Sequence, residues 1–373
     1  MESAIVGLPY VGKTTLFNLL TGGHAATGGF AGAEGAVNVG VAKVPDDRVD
    51  RLAALFKPKK TTHAEVRYAD VGLARSAHGT PQGSGKADGA GAQRLGELRN
   101  ADALVHVVRA FRDPSVPHVE GDVDPARDAA ALELELLVAD LAVVERRVER
   151  IAPELRSARA TERDAKEREA ALLERVRVAL GAGTPVRDLG LAAEDAKVLR
   201  GYRLLSEKPE LVVVNLDEAD LARAEEIVAQ VRASLATRAG TAVTAVCAKI
   251  EAEVAELPPT DASAFRAELG LSEPPLDRIA RETYSLLGLV SFFTVGPDEV
   301  RAWTIPAGTT AQSAAGVIHT DLARGFIRAE VIRWDELLAL GGLAEAKAKG
   351  KLRVESKEHV MLDGEVMNVL FNV

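Results

Sequence analysis

The stretch Gly7-Leu8-Pro9-Tyr10-Val11-Gly12-Lys13-Thr14 constrains this chain more than any other. Glycines at both ends let the backbone curl until successive N–H groups converge on an anion, and a following helix adds its positive end. Ala4-Ile5-Val6 reads as the end of a buried strand, and Thr15-Leu16-Phe17-Asn18-Leu19-Leu20 continues with helical spacing. Strand, glycine loop and helix in that order make a phosphate-binding loop, with Gly7, Pro9, Tyr10, Val11, Gly12, Lys13, Thr14 and Thr15 as its binding residues. Lys13 reaches the outer phosphates and is a catalytic candidate, and the Thr14 hydroxyl is a Mg²⁺ ligand.

A chain of 373 residues, nearly half of them apolar, is long enough for two or three domains. No apolar run approaches the roughly 20 residues of a membrane span. The phosphate loop opens at Gly7, so no signal peptide is expected. A lone cysteine, Cys247, rules out an internal disulfide framework and fits a cytoplasmic setting. The formal charge of -9 opposes bulk attraction to nucleic acid, so any RNA contact needs a local patch.

Thr21 to Gly40 is Gly- and Ala-rich, where a phosphate-loop NTPase carries its first switch. Asn38 to Asp46 reads as a strand entering a turn, Asp47 to Phe56 as a helix, and Lys57-Pro58-Lys59-Lys60 as a basic turn. Ala64 to Asp70 alternates like a strand, and Asp70 at its end holds Mg²⁺ through water. Gly72 then offers its N–H to the terminal phosphate, and Leu73 stands where many GTPases place a water-orienting Gln. Residues 74–91 are too poor in apolar side chains to order on their own. Asp102 to Arg109 is a central strand, with His106 expected as a satisfied core residue. His118, in the next loop, is a better-exposed candidate for phosphate contact, with a structural turn as its alternative.

Leu134, Leu137, Leu141, Val144, Val148, Ile151 and Leu155 alternate by three and four residues, the seam of a coiled coil. Pro153 should kink or end that helix, and Thr161 with Asp164 resembles a cap for a second one. An antiparallel hairpin follows, nearly neutral because ten Lys or Arg face nine Asp or Glu between Asp140 and Leu180. The buried strand Leu211 to Val214 then delivers Asn215-Leu216-Asp217-Glu218 to the ligand edge of an open α/β sheet. A GTPase places Asp, which accepts two hydrogens from guanine, where Glu218 stands, and Lys where Leu216 stands. The longer acid disfavours guanine. A further strand, Ala242 to Val246, leads to Cys247, Ala248 and Lys249, which approach the base.

These residues resemble one family, the Obg-like ATPases, known in bacteria as YchF. The phosphate loop, Asn38-Val39-Gly40, Val44-Pro45-Asp46, Lys57 to Lys60, His118-Val119-Glu120-Gly121, Asn215 with Glu218, and Ala248 to Glu253 all match in order. The most specific matches are Phe293-Thr294-Val295-Gly296, Arg301 to Ile305, Ile318-His319-Thr320-Asp321 and Gly325 to Val331. The resemblance implies a cytosolic ATPase using ATP and Mg²⁺, slow in hydrolysis, that associates with ribosomes or translation factors. It also implies a C-terminal TGS domain, a β-grasp, and a role for His118 in activating water. Read alone, that C-terminal segment has strands near Ser291–Val295 and Arg301–Ile305, a helix near Thr310–Ile318, and closing strands at His359–Leu362 and Val366–Asn372.

The expected architecture is therefore α/β: a discontinuous P-loop NTPase domain of the Ras-like type over 1–127 and 183–284, an inserted helical hairpin over 128–182, and the β-grasp over 285–373. The hairpin and the β-grasp are the expected ribosomal RNA contacts. Several positions depart from the family. Asp70-Val71-Gly72 is one residue short, Gly32 stands where the first switch has Thr, and Tyr10 replaces an Asn that helps to hold K⁺ in relatives that need it. They spare ATP binding and lower Mg²⁺-dependent turnover, leaving a hydrolysis-deficient ribosome-binding or RNA-binding module as the alternative.

Overall fold

A computed structural model of the chain describes residues 1–25, 37–71, 89–116, 118, 121–235, 240–271 and 273–372, with the side chains of 89–94, 160 and 259 set aside. Two compact units emerge: Met1–Gly40 with Arg67–Ile279, and Val41–Val66 with Ala280–Val373.

Among the described residues, the strands before the C-terminal region are β1 (Glu2–Val6), β2 (Asn38–Val44), β3 (Lys60–Thr62), β4 (Ala64–Asp70), β5 (Ala103–Arg109), β6 (Glu210–Asn215) and β7 (Thr241–Val246). All but β3 form one sheet in the order β2-β4-β1-β5-β6-β7, parallel from β4 to β7. Every residue of β5 and β6 is buried, as apolar runs covered on both faces must be. Because the chain runs first to one side of β1 and then to the other, a crevice opens at the carboxyl end of β1.

The helices of this region include α1 (Lys13–Thr21), α2 (Asp47–Phe56), α3 (Gly89–Asn100), α4 (Pro125–Ser157), α5 (Ala160–Gly181), α6 (Ala193–Leu199), α7 (Ala224–Ser234) and α8 (Ala248–Ala255). The Asp124 side chain accepts from the N–H groups of Ala126 and Arg127, and Pro125 fills the first turn of α4 where no donor is needed. At 1.5 Å per residue α4 is roughly 50 Å long. It pairs with α5 as the expected hairpin, packed through Leu137, Val144, Leu172, Leu173, Val176 and Leu180.

Two details differ from expectation, at Leu134 and at Thr161. Leu134 is 58% exposed, because the first turns of α4 turn Leu132 and Leu136 onto the sheet and position 134 lies on the opposite side. Helix α4 ends at Ser157, one turn past Pro153, as expected of a helix that the proline ends nearby. Thr161 lies inside α5, whose cap position is Arg159, without a side-chain cap. The root of the hairpin is held by charge. Asp140, fully buried, accepts from the N–H groups of Leu205 and Ser206, the Ser206 hydroxyl and Arg99 of α3. His106 is a core residue as expected, its Nδ1 lying 2.9 Å from Glu210, and Arg187 bridges Glu210 to Glu133 of α4.

The second unit contains β8 (Leu289–Val295), β9 (Glu299–Pro306), β10 (Phe326–Arg333), β11 (Arg353–Glu355) and β12 (Glu365–Phe371), in a sheet ordered β11-β10-β12-β8-β9-β3. The helix Ala311–Ile318 packs on its face against Phe292, Ile305, Val331 and Met367, the arrangement of a β-grasp. Residues 359–362 form no strand, and only Val360 bridges, to Thr310. β10 takes the place beside β12. Strand β3 pairs parallel with β9, and α2 brings Arg48 and Arg51 over the rings of Phe293 and Trp334. Arg48 also bonds both Asp46 and Asp363. Segment 41–66 is thus a component of this unit.

Both tryptophans of the chain, Trp303 and Trp334, belong to the second unit, so their fluorescence reports on it alone. Arg48→Ala should lower its stability by about 1–2 kcal/mol, seen as an earlier urea midpoint. An unchanged midpoint would refute the anchoring role of Arg48.

Candidate nucleotide site

The phosphate loop leaves β1 at Gly7, whose φ of +147° and position against β5 exclude any side chain. A Cβ there would lie 2.3 Å from the Val107 carbonyl oxygen. At Gly12, with φ of +97°, a Cβ would meet the Asn215 amide nitrogen at 2.4 Å. Between them Tyr10 adopts the left-handed conformation, φ +64°, and is half exposed. An aromatic residue held there stores on the order of 1 kcal/mol of strain. Gly12 caps α1 without a side-chain acceptor, which leaves the N–H groups of the first turn for an anion. Val11 is buried beneath the loop, and Pro9 and Thr15 are partly covered.

Lys13 folds back across the loop, donating from Nζ to the Leu8 carbonyl at 2.7 Å. Burial pushes its ammonium down to about 8, with the Asp70 carboxylate acting in the opposite sense. Thr14 donates from its hydroxyl to Asp70 at 2.7 Å, so the sequence-predicted metal residues are in contact. Two hard oxygen donors suit a cation that keeps most of its shell in water and phosphate oxygens, as Mg²⁺ does. Among the described residues no group of three or more His, Cys, Asp or Glu gathers that could hold a metal by itself.

At the other end of the site Asn215 donates from Nδ2 to the Val11 carbonyl at 3.0 Å and accepts at Oδ1 from the Ala248 N–H at 3.1 Å. One buried amide therefore ties the phosphate loop to the start of α8. Leu216 points into the core with Val108, Val212 and Val231. Glu218 is exposed and opens the turn Glu218–Arg223. Cys247 is buried with Ile250 and Val254, and that burial raises its thiol above the ordinary value against the pull of the Ile250 and Lys249 N–H groups. Ala248 is buried and Lys249 exposed.

The ring of His118, expected to be accessible, is 5% exposed, with Nε2 2.8 Å from Asp128 of α4. Gly32, Gly72 and Leu73 lie outside the described residues. Sequence reasoning missed Arg109, a buried guanidinium at the end of β5. It stacks on Phe111 and donates to the carbonyls of Phe111 and Val116, shaping the loop beside Asn215. A lone Arg ending an apolar run carries no signal of that role.

Gly7→Ala should abolish nucleotide binding through the Val107 clash, with equilibrium dialysis as the check and wild-type affinity as the refuting result. Since free Lys13 loses its proton near pH 8 and bound phosphates favour the charged form, affinity should fall as pH rises through that value. Calorimetry at pH 8.5 in two buffers of different ionisation heat should detect proton uptake on binding, and equal apparent heats would contradict this.

A family model described as a 50S ribosome-binding GTPase matches residues 2–135, and one described as YchF-GTPase_C, a protein of unknown function, matches 289–372. The ribosome-binding ATPase YchF of Bacillus subtilis is 41% identical over 375 residues, covering all of both chains. The protein of that name from Escherichia coli O157:H7 is 41% identical over 372 residues, covering 100% of this chain and 99% of its own. A solved structure of the Schizosaccharomyces pombe YchF GTPase superposes with a TM-score of 0.83 at 30% identity, over 99% of this chain and 97% of that one. At that identity along the full length, and with that superposition, the chain belongs to the YchF family.

Proposed function

We propose that the chain binds ATP in preference to GTP, hydrolyses it slowly, and works as a nucleotide-dependent switch that associates with ribosomes or translation factors. The observation that carries this reading is the contact of Thr14 with Asp70 beside Lys13, a preassembled place for a metal-bound triphosphate. In it Lys13 turns from the Leu8 carbonyl to the outer phosphates, and the loop N–H groups hold the remaining oxygens. Thr14 supplies a hydroxyl oxygen, and Asp70 accepts from metal-bound water. Mg²⁺ bound there neutralises phosphate charge.

Base selection is read from Glu218. The extra methylene moves its carboxylate away from where a shorter acid would accept both guanine hydrogens, and an unpaired donor at that edge costs about 1–3 kcal/mol. Leu216, buried, offers no lysine stem to lie along the ring. Cys247, Ala248 and Lys249 complete the base end, where Asn215 already fixes the Ala248 N–H. His118, oriented by Asp128, is the candidate group for activating water.

A second reading, a module that keeps the nucleotide but turns it over negligibly, is favoured by the one-residue shortening at Asp70-Val71-Gly72. Single-turnover hydrolysis with Mg²⁺ separates the two. Calorimetry should find ATP at least tenfold tighter than GTP, and equal or reversed affinities would overturn the base assignment. Lys13→Ala should remove binding of both nucleotides. Thr14→Ala should weaken binding with Mg²⁺ more than binding in chelator, and an equal loss in both would remove Thr14 as a metal ligand.

A further inference from the structure

We propose that the second unit takes up an extended peptide segment of a partner protein, apolar at its centre and acidic at its flanks, as an added strand along the free half of β12.

Strand β12 has a neighbour on both sides only at its beginning. It pairs with β10 from Glu365 to Phe371, but on its other side the ladder to β8 rests on Val366 opposite Phe293, and β8 ends two residues later at Val295. In an antiparallel ladder alternate residues direct their N–H and C=O groups away from the partner strand. From Asn368 to Phe371 those outward groups of β12 meet no other strand among the described residues. The free stretch has room for about four residues of added strand, roughly 13 Å of chain. Unless it is covered, such an edge is a template for pairing.

A cleft of ≈ 530 Å³ opens beside this stretch, bounded by Thr294 and Val295 at the end of β8 and by Asn368, Val369 and Phe371 of β12. One wall is Ile318 and Leu322, from the core under the helix Ala311–Ile318. Glu330 and Ile332 alternate with Ala329 and Val331 and so face the other way, where Leu343 and Lys347 of the helix Leu343–Ala348 make the second wall. A strand laid along β12 sends successive side chains to these two walls in turn, and both are largely apolar, so its centre is a continuous apolar run. Main-chain pairing along the edge is what only a peptide can supply. Charge selects its flanks. Arg328, opposite Leu370, is exposed and has no ion pair among the described residues. Lys347, 76% exposed, reaches Glu330 only at 3.8 Å, and Glu330 is already held by the Asn368 amide at 2.9 Å. In a chain of formal charge -9, this corner draws carboxylates.

The test titrates the full chain into an array of labelled, end-blocked octapeptides, each with four varied apolar residues between paired aspartates, and reads fluorescence anisotropy. Members rich in β-branched residues should bind. Each binder is then made in two N-methylated forms, blocked at one or the other alternate set of central amides. One form should lose at least tenfold in affinity and the other stay near the parent, because only alternate N–H groups of an added strand face β12. Ala344→Phe, at an exposed position on the cleft wall, should fill the cleft and weaken binding at least tenfold. Arg328→Glu with Lys347→Glu, both on the surface, should weaken it and flatten its dependence on KCl, and both variants should keep the wild-type melting temperature. Equal affinities of the two N-methylated forms would overturn the added strand and leave a general apolar cavity. Affinity unchanged in both protein variants, or no binding by any member at millimolar concentration, would overturn the site. Protein-free ribosomal RNA that loses affinity in Ala344→Phe as the peptides do would overturn the choice of a peptide, assigning the edge to nucleic acid.

Discussion

The candidate nucleotide site depends on one amide. Asn215 spans from the Val11 carbonyl to the Ala248 N–H, so the phosphate loop and the start of α8 are set in register by a single buried side chain at the end of β6. Its reach works only because Gly12 has no Cβ, which would collide with the Asn215 nitrogen. The bare glycine and the amide are two halves of one contact. Leaving either half of a buried hydrogen bond unsatisfied costs more than the bond itself contributes.

How much of this is legible in the sequence depends on range. The phosphate loop, the buried strands and the ligand-edge position of Asn215 follow from local pattern, because curling, burial and strand ends leave marks within ten residues. The hairpin seam is legible from Leu137 to Ile151. Leu134 misleads because α4 changes neighbours along its length, from sheet to partner helix, and a single periodicity cannot describe two packing surfaces. The accessibility expected of His118 misses because Asp128 stands on another element, brought close only by the fold. Strand β3 is equally hidden. Its residues Lys60, Thr61 and Thr62 pair with Glu299, Val300 and Arg301, and nothing near them in the chain announces that partner.

The hairpin is fastened to the sheet by charge rather than by apolar contact alone. Asp140 gathers donors from Arg99, Leu205 and Ser206, and Arg187 joins Glu133 to Glu210, which His106 approaches from β5. Each member is buried or nearly so, and a buried charge is tolerated only with its partners in place. Such a root tolerates few intermediate positions. Arg99 ends the helix that follows residues 72–88, and His106 sits beside Val6, the residue before the phosphate loop.

The interleaving of the second unit has a consequence for biosynthesis. Segment 41–66 leaves the ribosome early, yet the strand that pairs with β3 and the rings that receive Arg48 and Arg51 come more than two hundred residues later. At typical elongation rates of about 5–20 residues per second, the wait is roughly 10–45 seconds. During that time Val49 and Leu52, which end fully buried, lack strands β8 and β9 of their own unit, on which α2 packs. The emerging chain therefore carries an apolar helix face exposed to chaperones and to premature association, and the final ninety or so residues act as the template on which an early segment completes its folding.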